Sequence, residues 1–165
     1  MISNPLAAAG DRIGEVLPQV APGTALWKWS AAGQAYEELR NESGVAWSRD
    51  VSFGPGEGGY VRAPGQQPLT ISFVGEVLVG QRYRTIQGPL DVLGSMTPVP
   101  LTLSRWLPSW YETSLFRQDP GIAFSLVPAQ GWVPSAPTLG VAEGLTVERA
   151  EAQKVRLELG TLRLP

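Results

Sequence analysis

Short runs of alternating apolar and polar residues recur along the chain and are separated by Gly, Pro, Ser or Asn. The alternation is clearest in the Leu-Thr-Ile-Ser-Phe-Val run and recurs in Val155–Leu159. Such alternation buries one face of a strand and leaves the other in water, so it predicts antiparallel strands of a sandwich or barrel. The strands predicted in the first half are Ala25–Ser30, Ala35–Leu39, Val45–Ser48, Gly59–Arg62 and Leu69–Val74.

One segment has helical rather than strand periodicity. Ala9–Leu17 places apolar residues three and four positions apart and is followed by Pro18, which predicts a short helix. The corresponding segment of the second half, Met96–Trp110, contains three prolines. We therefore expect any helix there to be shorter or displaced.

The two halves of the chain resemble each other. Phe53-Gly54 and Glu57-Gly58 recur 86 positions later as Leu139-Gly140 and Glu143-Gly144. Further matches, in the same order but at offsets of 84 to 89, pair Ile2–Leu6 with Ile86–Leu90, Leu26-Trp27 with Leu115-Phe116, Ala35-Tyr36 with Ala123-Phe124, and Trp47 with Trp132. Chance similarity among short Gly- and Pro-rich strands is the alternative, but the collinear order favours a duplication.

The predicted fold is therefore mainly β. It consists of two diverged antiparallel sandwich-like or barrel-like repeats packed together, with one short helix in the first. The repeats are predicted at residues 1–78 and 79–165, with the first repeat lacking its opening strand.

Composition removes several classes of function. The chain has 13 Lys and Arg against 15 Asp and Glu, a net charge of −2, and therefore lacks the basic surplus of a nucleic-acid-binding domain. No apolar run is long enough for a transmembrane helix, and the first residues do not read as a signal peptide. We predict neither nucleic acid nor a membrane span as a partner.

The chain contains no His and no Cys. This excludes disulfides, a thiolate nucleophile, a Cys-based zinc site and a His general base. A resident cofactor is not expected, and Ca²⁺ held by oxygen atoms is the only plausible metal.

Several motifs occur in a recognisable order. They are Ile-Ser-Asn-Pro-Leu at the start, Leu-Trp-Lys-Trp in the middle, Gly-Pro-Gly-Glu-Gly-Gly-Tyr-Val, and Leu-Thr-Ile-Ser-Phe-Val-Gly at the end of the first half. This order resembles an uncharacterised short β module repeated in large secreted or cell-surface proteins of environmental bacteria. Those modules open Gly-aromatic-Asn-Leu-Ile-Ser-Asn-Pro-Leu, continue with Leu-Tyr-Lys-Trp and pass through Pro-Gly-Glu-Gly. The resemblance implies an extracellular β module and no established activity or catalytic residue.

The first repeat departs from that pattern at its beginning. The second repeat has a counterpart of the opening strand in Gly80–Ile86, whereas the first begins in mid-strand. A start chosen inside a longer reading frame is one explanation. The other is an open strand edge that recruits a second copy. The predicted assembly edge is Ile2, Ser3, Asn4, Pro5 and Leu6.

Two groups of residues are candidates for ligand binding. Gly54–Gly59 superficially suggests a phosphate loop, but a strand follows it rather than a helix, which favours a tight turn with Glu57 bonded to backbone N–H groups. The tryptophans are the second group, and each either packs in a core or lies on an exposed face that binds a sugar. We expect Trp27, Trp47 and Trp132 to lie in the core. The predicted ligand-binding residues are Asp50, Glu57, Tyr60, Trp106, Trp110 and Tyr111.

The sequence thus predicts a secreted or cell-surface structural or binding module whose partner is itself or a carbohydrate. The alternative is a small hydrolase that uses carboxylates, without His or Cys, on a glycoside, ester or lactone, with Ca²⁺ as an optional cofactor. No catalytic residue is assigned.

Overall fold

The computed structural model describes residues 1–86, 88–103, 114–118, 122–127, 130–136, 138–149 and 155–162. Within these ranges the chain is mainly β and has one short helix, α1, at Ile13–Val16, as predicted. The strands of the first half are β1 (Ile2–Ser3), β2 (Ala25–Ser30), β3 (Ala35–Arg40) and β4 (Gly58–Arg62). Those of the second half are β5 (Gly80–Ile86), β6 (Leu90–Gly94), β7 (Leu101–Thr102), β8 (Ser114–Gln118), β9 (Ile122–Val127), β10 (Gly131–Val133), β11 (Thr138–Leu139), β12 (Gly144–Arg149) and β13 (Val155–Leu162).

Both halves build an antiparallel sheet with the same strand order. The first sheet runs β1-β4-β2-β3, and the second runs β6-β12-β8-β9 with β10 added beyond β9. In the first sheet β2 lies between β3 and β4, and in the second β8 lies between β9 and β12. A residue of the middle strand is therefore paired with one residue on each side. The matching residues are Leu26, Leu39 and Val61 in the first sheet and Phe116, Phe124 and Val147 in the second.

This register shifts several matches made from the sequence. Leu26 corresponds to Phe116 rather than Leu115, and Leu39 rather than Tyr36 corresponds to Phe124. The reason is that the hairpin joining β2 to β3 is longer than the one joining β8 to β9. Length differences in loops are invisible to a comparison of short blocks, and a slip of one residue exchanges the two faces of a strand.

The Gly-Glu motif of each half forms the same closed turn. Gly54 N–H donates to Glu57 Oε2 at 2.7 Å, and Glu57 N–H donates to the Gly54 carbonyl at 3.0 Å. Gly140 and Glu143 repeat the two bonds at 2.7 and 3.2 Å. Strand β4 follows the first turn, so this segment is a tight turn with a backbone-bonding Glu and not a phosphate loop.

Each half has a hydrophobic core of its own. The first core contains Ile13, Val16, Leu17, Val20, Leu26, Leu39 and Phe53, with Trp47, Val61, Ile71 and Phe73 among the half-buried residues packed on it. The second contains Ile86, Leu93, Leu103, Phe124, Leu139, Leu145 and Val147, with Met96 and Trp132 packed on it. At about 25 cal/mol per Å² of apolar surface removed from water, these two clusters supply the main stabilisation of the two halves.

The two halves contact each other through reciprocal strand-to-turn hydrogen bonds. Ser3 N–H donates to the Ala142 carbonyl at 2.8 Å, and Gly94 N–H donates to the Gly56 carbonyl at 3.2 Å. Ser3 lies opposite Gly58 in the first sheet, and Gly94 lies opposite Gly144, the counterpart of Gly58, in the second. The edge strand of each sheet, β1 or β6, is therefore hydrogen-bonded to the Gly-Glu turn of the other half, and the two contacts are reciprocal.

Three predicted elements differ from the structure. The helix spans Ile13–Val16 only, because the chain before it is held by turn hydrogen bonds, including one from Ala8 N–H to Asp11 Oδ1. Of Val45–Ser48, only Trp47 makes a bridge, to Asn41. Leu69–Val74 alternates half-buried and exposed positions as a strand would but forms no ladder with the described residues, whereas Val155–Leu162 pairs with Gly80–Ile86.

Candidate binding surface on the first sheet

Strand alternation brings four aromatic side chains to the face of the first sheet that lies opposite its core. Leu26 faces the core, so its neighbour Trp27 faces outward, and Trp29 follows two residues later on the same side. Across the ladder, Trp29 lies opposite Tyr36 and Trp27 lies opposite Tyr60. We call Trp27, Trp29, Tyr36 and Tyr60 the aromatic surface.

Three rings of the aromatic surface, those of Trp29, Tyr36 and Tyr60, contact one another in sequence across the strands. The Trp29 and Tyr36 ring centroids are 4.9 Å apart with an interplanar angle of 67°, and those of Tyr36 and Tyr60 are 5.5 Å apart at 60°. Edge-on and tilted contacts of this kind contribute about 0.5–1.5 kcal/mol beyond area burial. The ring orientations are therefore fixed before any ligand arrives.

The exposure of these rings falls into two groups. Trp29 is buried, at 4% of its accessible surface, whereas Tyr36 and Tyr60 are each 37% exposed and Trp27 is half-buried. Buried Trp29 thus packs against the more exposed Tyr36, which in turn contacts Tyr60. Large aromatic side chains that remain partly exposed on a rigid sheet are typical of binding surfaces.

Two glycines allow the neighbouring chain segments to approach this part of the sheet. A Cβ at Gly59 would collide with the Trp27 carbonyl, so only glycine lets β4 lie this close to β2. A Cβ at Gly58 would lie 2.8 Å from Val92 Cγ1 of the second half. The aromatic surface consequently ends where the second half begins.

The Tyr36 hydroxyl lies at this junction between the halves. Burial, with a smaller contribution from the neighbouring Tyr60, raises the pKa of Tyr36 to about 12, while a hydrogen bond with Thr146 of β12 acts in the opposite direction. A phenol with a raised pKa remains protonated at neutral pH and can both donate and accept hydrogen bonds.

Charged side chains border the aromatic surface. Arg62 lies over the Trp27 ring, with its guanidinium carbon 5.0 Å from the ring centroid. Glu38 lies opposite Trp27 in the ladder and pairs with Arg40 at 2.7 Å. These groups offer charged donors and acceptors beside an apolar ring, which is the combination that orients a polyhydroxylated ligand.

The structure separates the ligand-binding residues predicted from the loop before β4. Asp50 is exposed and pairs with Arg12 at 3.8 Å on the side of α1. Glu57 is held by Lys28 at 3.1 Å and by its own turn. Tyr60 alone belongs to the aromatic surface. Trp106, Trp110 and Tyr111 lie outside the described residues.

The predicted assembly edge is paired with other parts of the same chain. Ile2 and Ser3 lie opposite Gly59 and Gly58, and Ile2 also forms a bridge with Glu143 on its other side. Asn4 is buried, and its side-chain amide donates to the Phe53 carbonyl at 2.6 Å. Pro5 is buried and Leu6 N–H donates to Asn4 Oδ1. In this structure these contacts occupy the backbone groups of the segment.

The expected core positions of the tryptophans hold for two of the three. Trp47 packs on the first core and Trp132 on the second. Trp27 lies on the opposite face of its sheet, so the expectation of a core position for it was wrong. The Trp-x-Trp spacing does place both side chains on one face, but nothing in the spacing tells which face is buried.

The carboxylates of the described ranges are mostly tied to cations or to turns. Glu37 pairs with Arg49 at 3.1 Å, and Asp91 pairs with Arg84 at 3.2 Å. Within those ranges, no group of three or more Asp and Glu side chains converges as a metal site requires. The Ca²⁺ expectation stays a prediction.

Comparison with protein-family models, with curated proteins and with solved structures finds no match to this chain. No helix in the described part of the chain is long and apolar enough to cross a membrane.

Proposed function

We propose that this protein is an extracellular binding module that holds a carbohydrate against the aromatic surface. The observation that carries the proposal is that Trp27, Tyr36 and Tyr60 are partly exposed on one face of a rigid sheet, with Arg62 and Glu38 beside them. The proposed extracellular setting rests on the resemblance of the sequence motifs to modules of secreted and cell-surface proteins.

The chemistry of the surface suits a sugar. A pyranose ring presents a patch of C–H groups that packs on an aromatic face and a rim of hydroxyl groups that needs hydrogen-bond partners. The Tyr60 hydroxyl, which is hydrogen-bonded to Tyr36, and the Arg62 guanidinium provide such partners within one face. Because the Tyr36 and Tyr60 rings already contact each other, little freedom of these two side chains is lost on binding.

The hydrolase alternative rests on the carboxylates. Asp11 Oδ2 and Glu57 Oε2 both lie near Gly54, 3.6 and 3.8 Å from the position of a Cβ there. However, Glu57 is bonded to Lys28 and to its turn, and Asp11 Oδ1 accepts the Ala8 N–H. These bonds assign both groups a structural role, so we favour binding over hydrolysis.

Affinity gel electrophoresis through neutral polysaccharides tests the proposal. We expect at least one β-linked glucan, xylan or chitin-derived polymer to retard the protein, and Trp27→Ala to weaken the retardation at least tenfold, about 1.4 kcal/mol of binding. Trp27 is the variant of choice because its half-buried indole is the largest ring of the surface that is not fully buried.

Tyr83→Ala is the matched control. Tyr83 is 38% exposed on β5, close to the 37% of Tyr60, and its hydroxyl donates to Gln81 outside the aromatic surface. Retardation should survive Tyr83→Ala and fall in Tyr60→Ala. Equal retardation of the wild type, Trp27→Ala and Tyr60→Ala would refute the proposal, as would a panel without any retarded sample.

A further inference from the structure

In the second repeat, the last strand is paired with the first strand of the same repeat. Strand β13 pairs antiparallel with β5 along almost its whole length, and these two strands form a sheet of their own. In the register, Val155 lies opposite Ile86, Arg156 opposite Thr85, and Leu157 opposite Arg84. Among the described strands, β5 is the one that supplies ladder hydrogen bonds to this final strand of the repeat.

The first repeat contains the equivalent of β13 in Leu69–Val74, which we call the acceptor segment. The offset of 86 positions that superimposes the two Gly-Glu turns also places Leu69 on Val155 and Ile71 on Leu157. Both segments have the same alternation of apolar and polar residues, and in the acceptor segment the side chains alternate between half-buried and exposed as in a strand.

The acceptor segment is fixed by its side chains and not by backbone pairing. Ile71 and Phe73 pack on the first core, whereas Thr70 and Ser72 are exposed. Val74 N–H donates to the Val16 carbonyl at 2.9 Å, but the described residues provide no backbone hydrogen-bond partner for residues 69–73. A run of N–H and C=O groups without ladder partners, held in place by its core-facing side chains, is a template for an added strand.

Two features limit the place and chemistry of that strand. The ladder must end at Val74, because Glu76 is already paired with Ala7. A cleft of about 370 Å³ lies at this end and is lined by alanines, Val74 and the carboxylate-bearing residues Glu15 and Glu76. When the β13–β5 register is transferred, Val74 lies opposite the position of Arg82, which places a basic residue of the incoming strand at the end of the segment where Glu15 and Glu76 line the cleft. Glu15 Oε2 already accepts the Gly10 N–H at 2.9 Å, so Glu76 is the carboxylate expected to pair with it.

We propose that the acceptor segment binds an extended peptide strand of another polypeptide with the pattern of β5. The strand is antiparallel and presents an apolar residue next to Leu69 and a basic residue next to Val74. Strand β5 itself is engaged by β13, so the donor is a separate segment of similar sequence and not β5 of a second copy. This surface lies apart from the aromatic surface, so it goes beyond carbohydrate binding.

A fluorescently labelled peptide Gly-Gln-Arg-Tyr-Arg-Thr-Ile, the sequence of β5, is the probe. We expect saturable one-to-one binding to the full chain by fluorescence anisotropy. The same peptide with Pro in place of both arginines is the first control, because proline removes the ladder N–H groups, and a peptide with Lys in place of both arginines is the second. The proline peptide should bind at least tenfold more weakly and the lysine peptide within about threefold.

Amide hydrogen exchange supplies a readout that needs no variant. In the free chain, the amides of Thr70, Ile71 and Ser72 should all exchange fast, whereas in β13 every second amide, the set that points towards β5, should exchange slowly, because alternate N–H groups of an antiparallel pair make the ladder hydrogen bonds. Adding the peptide should slow alternate amides of the first set and leave those of β13 unchanged.

Three results would overturn the proposal. One is slow exchange at Thr70–Ser72 in the free monomer, which would show that the segment is already paired. Another is equal binding of the proline peptide, or no binding of the β5 peptide at millimolar concentration. The third is a concentration-dependent dimer in light scattering that the peptide does not dissociate, which would identify a second copy as the occupant.

Discussion

Arg84 is the residue whose removal should most weaken the contact between the two halves. Its guanidinium donates to the Gly56 carbonyl of the first half at 2.6 Å, to the Val92 carbonyl at 3.0 Å and to Asp91 Oδ1 at 3.2 Å. The Arg84 side chain is 15% exposed and that of Asp91 is fully buried. Arg84→Met retains most of the aliphatic volume and removes all three charge-assisted hydrogen bonds.

The expected loss in the free energy of unfolding is about 3 kcal/mol. Removing one partner of a buried ion pair costs about 3–5 kcal/mol. The lower end applies because Asp91 Oδ1 still accepts the Val92 N–H at 2.8 Å and because Arg84 is not completely buried. With a urea slope of about 2 kcal/mol per M, the unfolding midpoint should fall by about 1.5 M.

Arg82→Met is the matched control for this experiment. It makes the same substitution two residues earlier on β5, where the side chain is half-buried and its guanidinium donates to the neighbouring Val79 carbonyl. The expected loss there is about 1 kcal/mol, that of one hydrogen bond. Urea unfolding followed by tryptophan fluorescence measures both variants, and equal losses in Arg84→Met and Arg82→Met would refute the reasoning.

Two further predictions concern the junction and the aromatic surface. Gly94→Ala places a Cβ against the Ser3 side chain and should lower the free energy of unfolding by about 1–3 kcal/mol. Gly65→Ala, at a position with open space around it, should change that free energy by less than about 1 kcal/mol, and thermal unfolding of both variants measures the difference. The pKa of Tyr36 is raised to about 12 in the folded chain against about 10 when unfolded, so the unfolded state loses this proton first and stability should fall as pH rises from 10 to 12. The fall in the urea midpoint should be smaller in Tyr36→Phe. Identical urea midpoints of the two proteins across that pH range would contradict the prediction.

Features that depend on neighbouring residues in the chain could be predicted from the sequence. Strand β2 has the bounds expected from its alternation, and β3 and β4 each extend one residue beyond theirs. The Glu57 turn also forms as expected, because a Glu three residues after a Gly can reach the backbone N–H without help from a distant segment.

Features that depend on distant partners could not be predicted. Leu69–Val74 has the alternation of a strand, yet a strand also needs a neighbour, and the alternation does not show whether one exists. Likewise, Leu26 and Trp27 are both suitable for a core, and only the pairing with Leu39 decides that Trp27 faces outward. Tyr36 was not singled out, since its contact with Tyr60 joins two strands that are separated by β2.

The most direct test of the proposed function follows the indole N–H signals of the six tryptophans by ¹⁵N–¹H NMR. The titrants are soluble cello-, xylo- and chito-oligosaccharides, with assignment by single Trp→Phe variants. For at least one of these sugars, the Trp27 signal should shift with a saturable dependence while the Trp47 signal, from a ring packed on the first core, stays in place. A Trp27 signal that stays fixed with every sugar, or sugar-dependent shifts confined to other tryptophans, would contradict the assignment of the aromatic surface as the binding site.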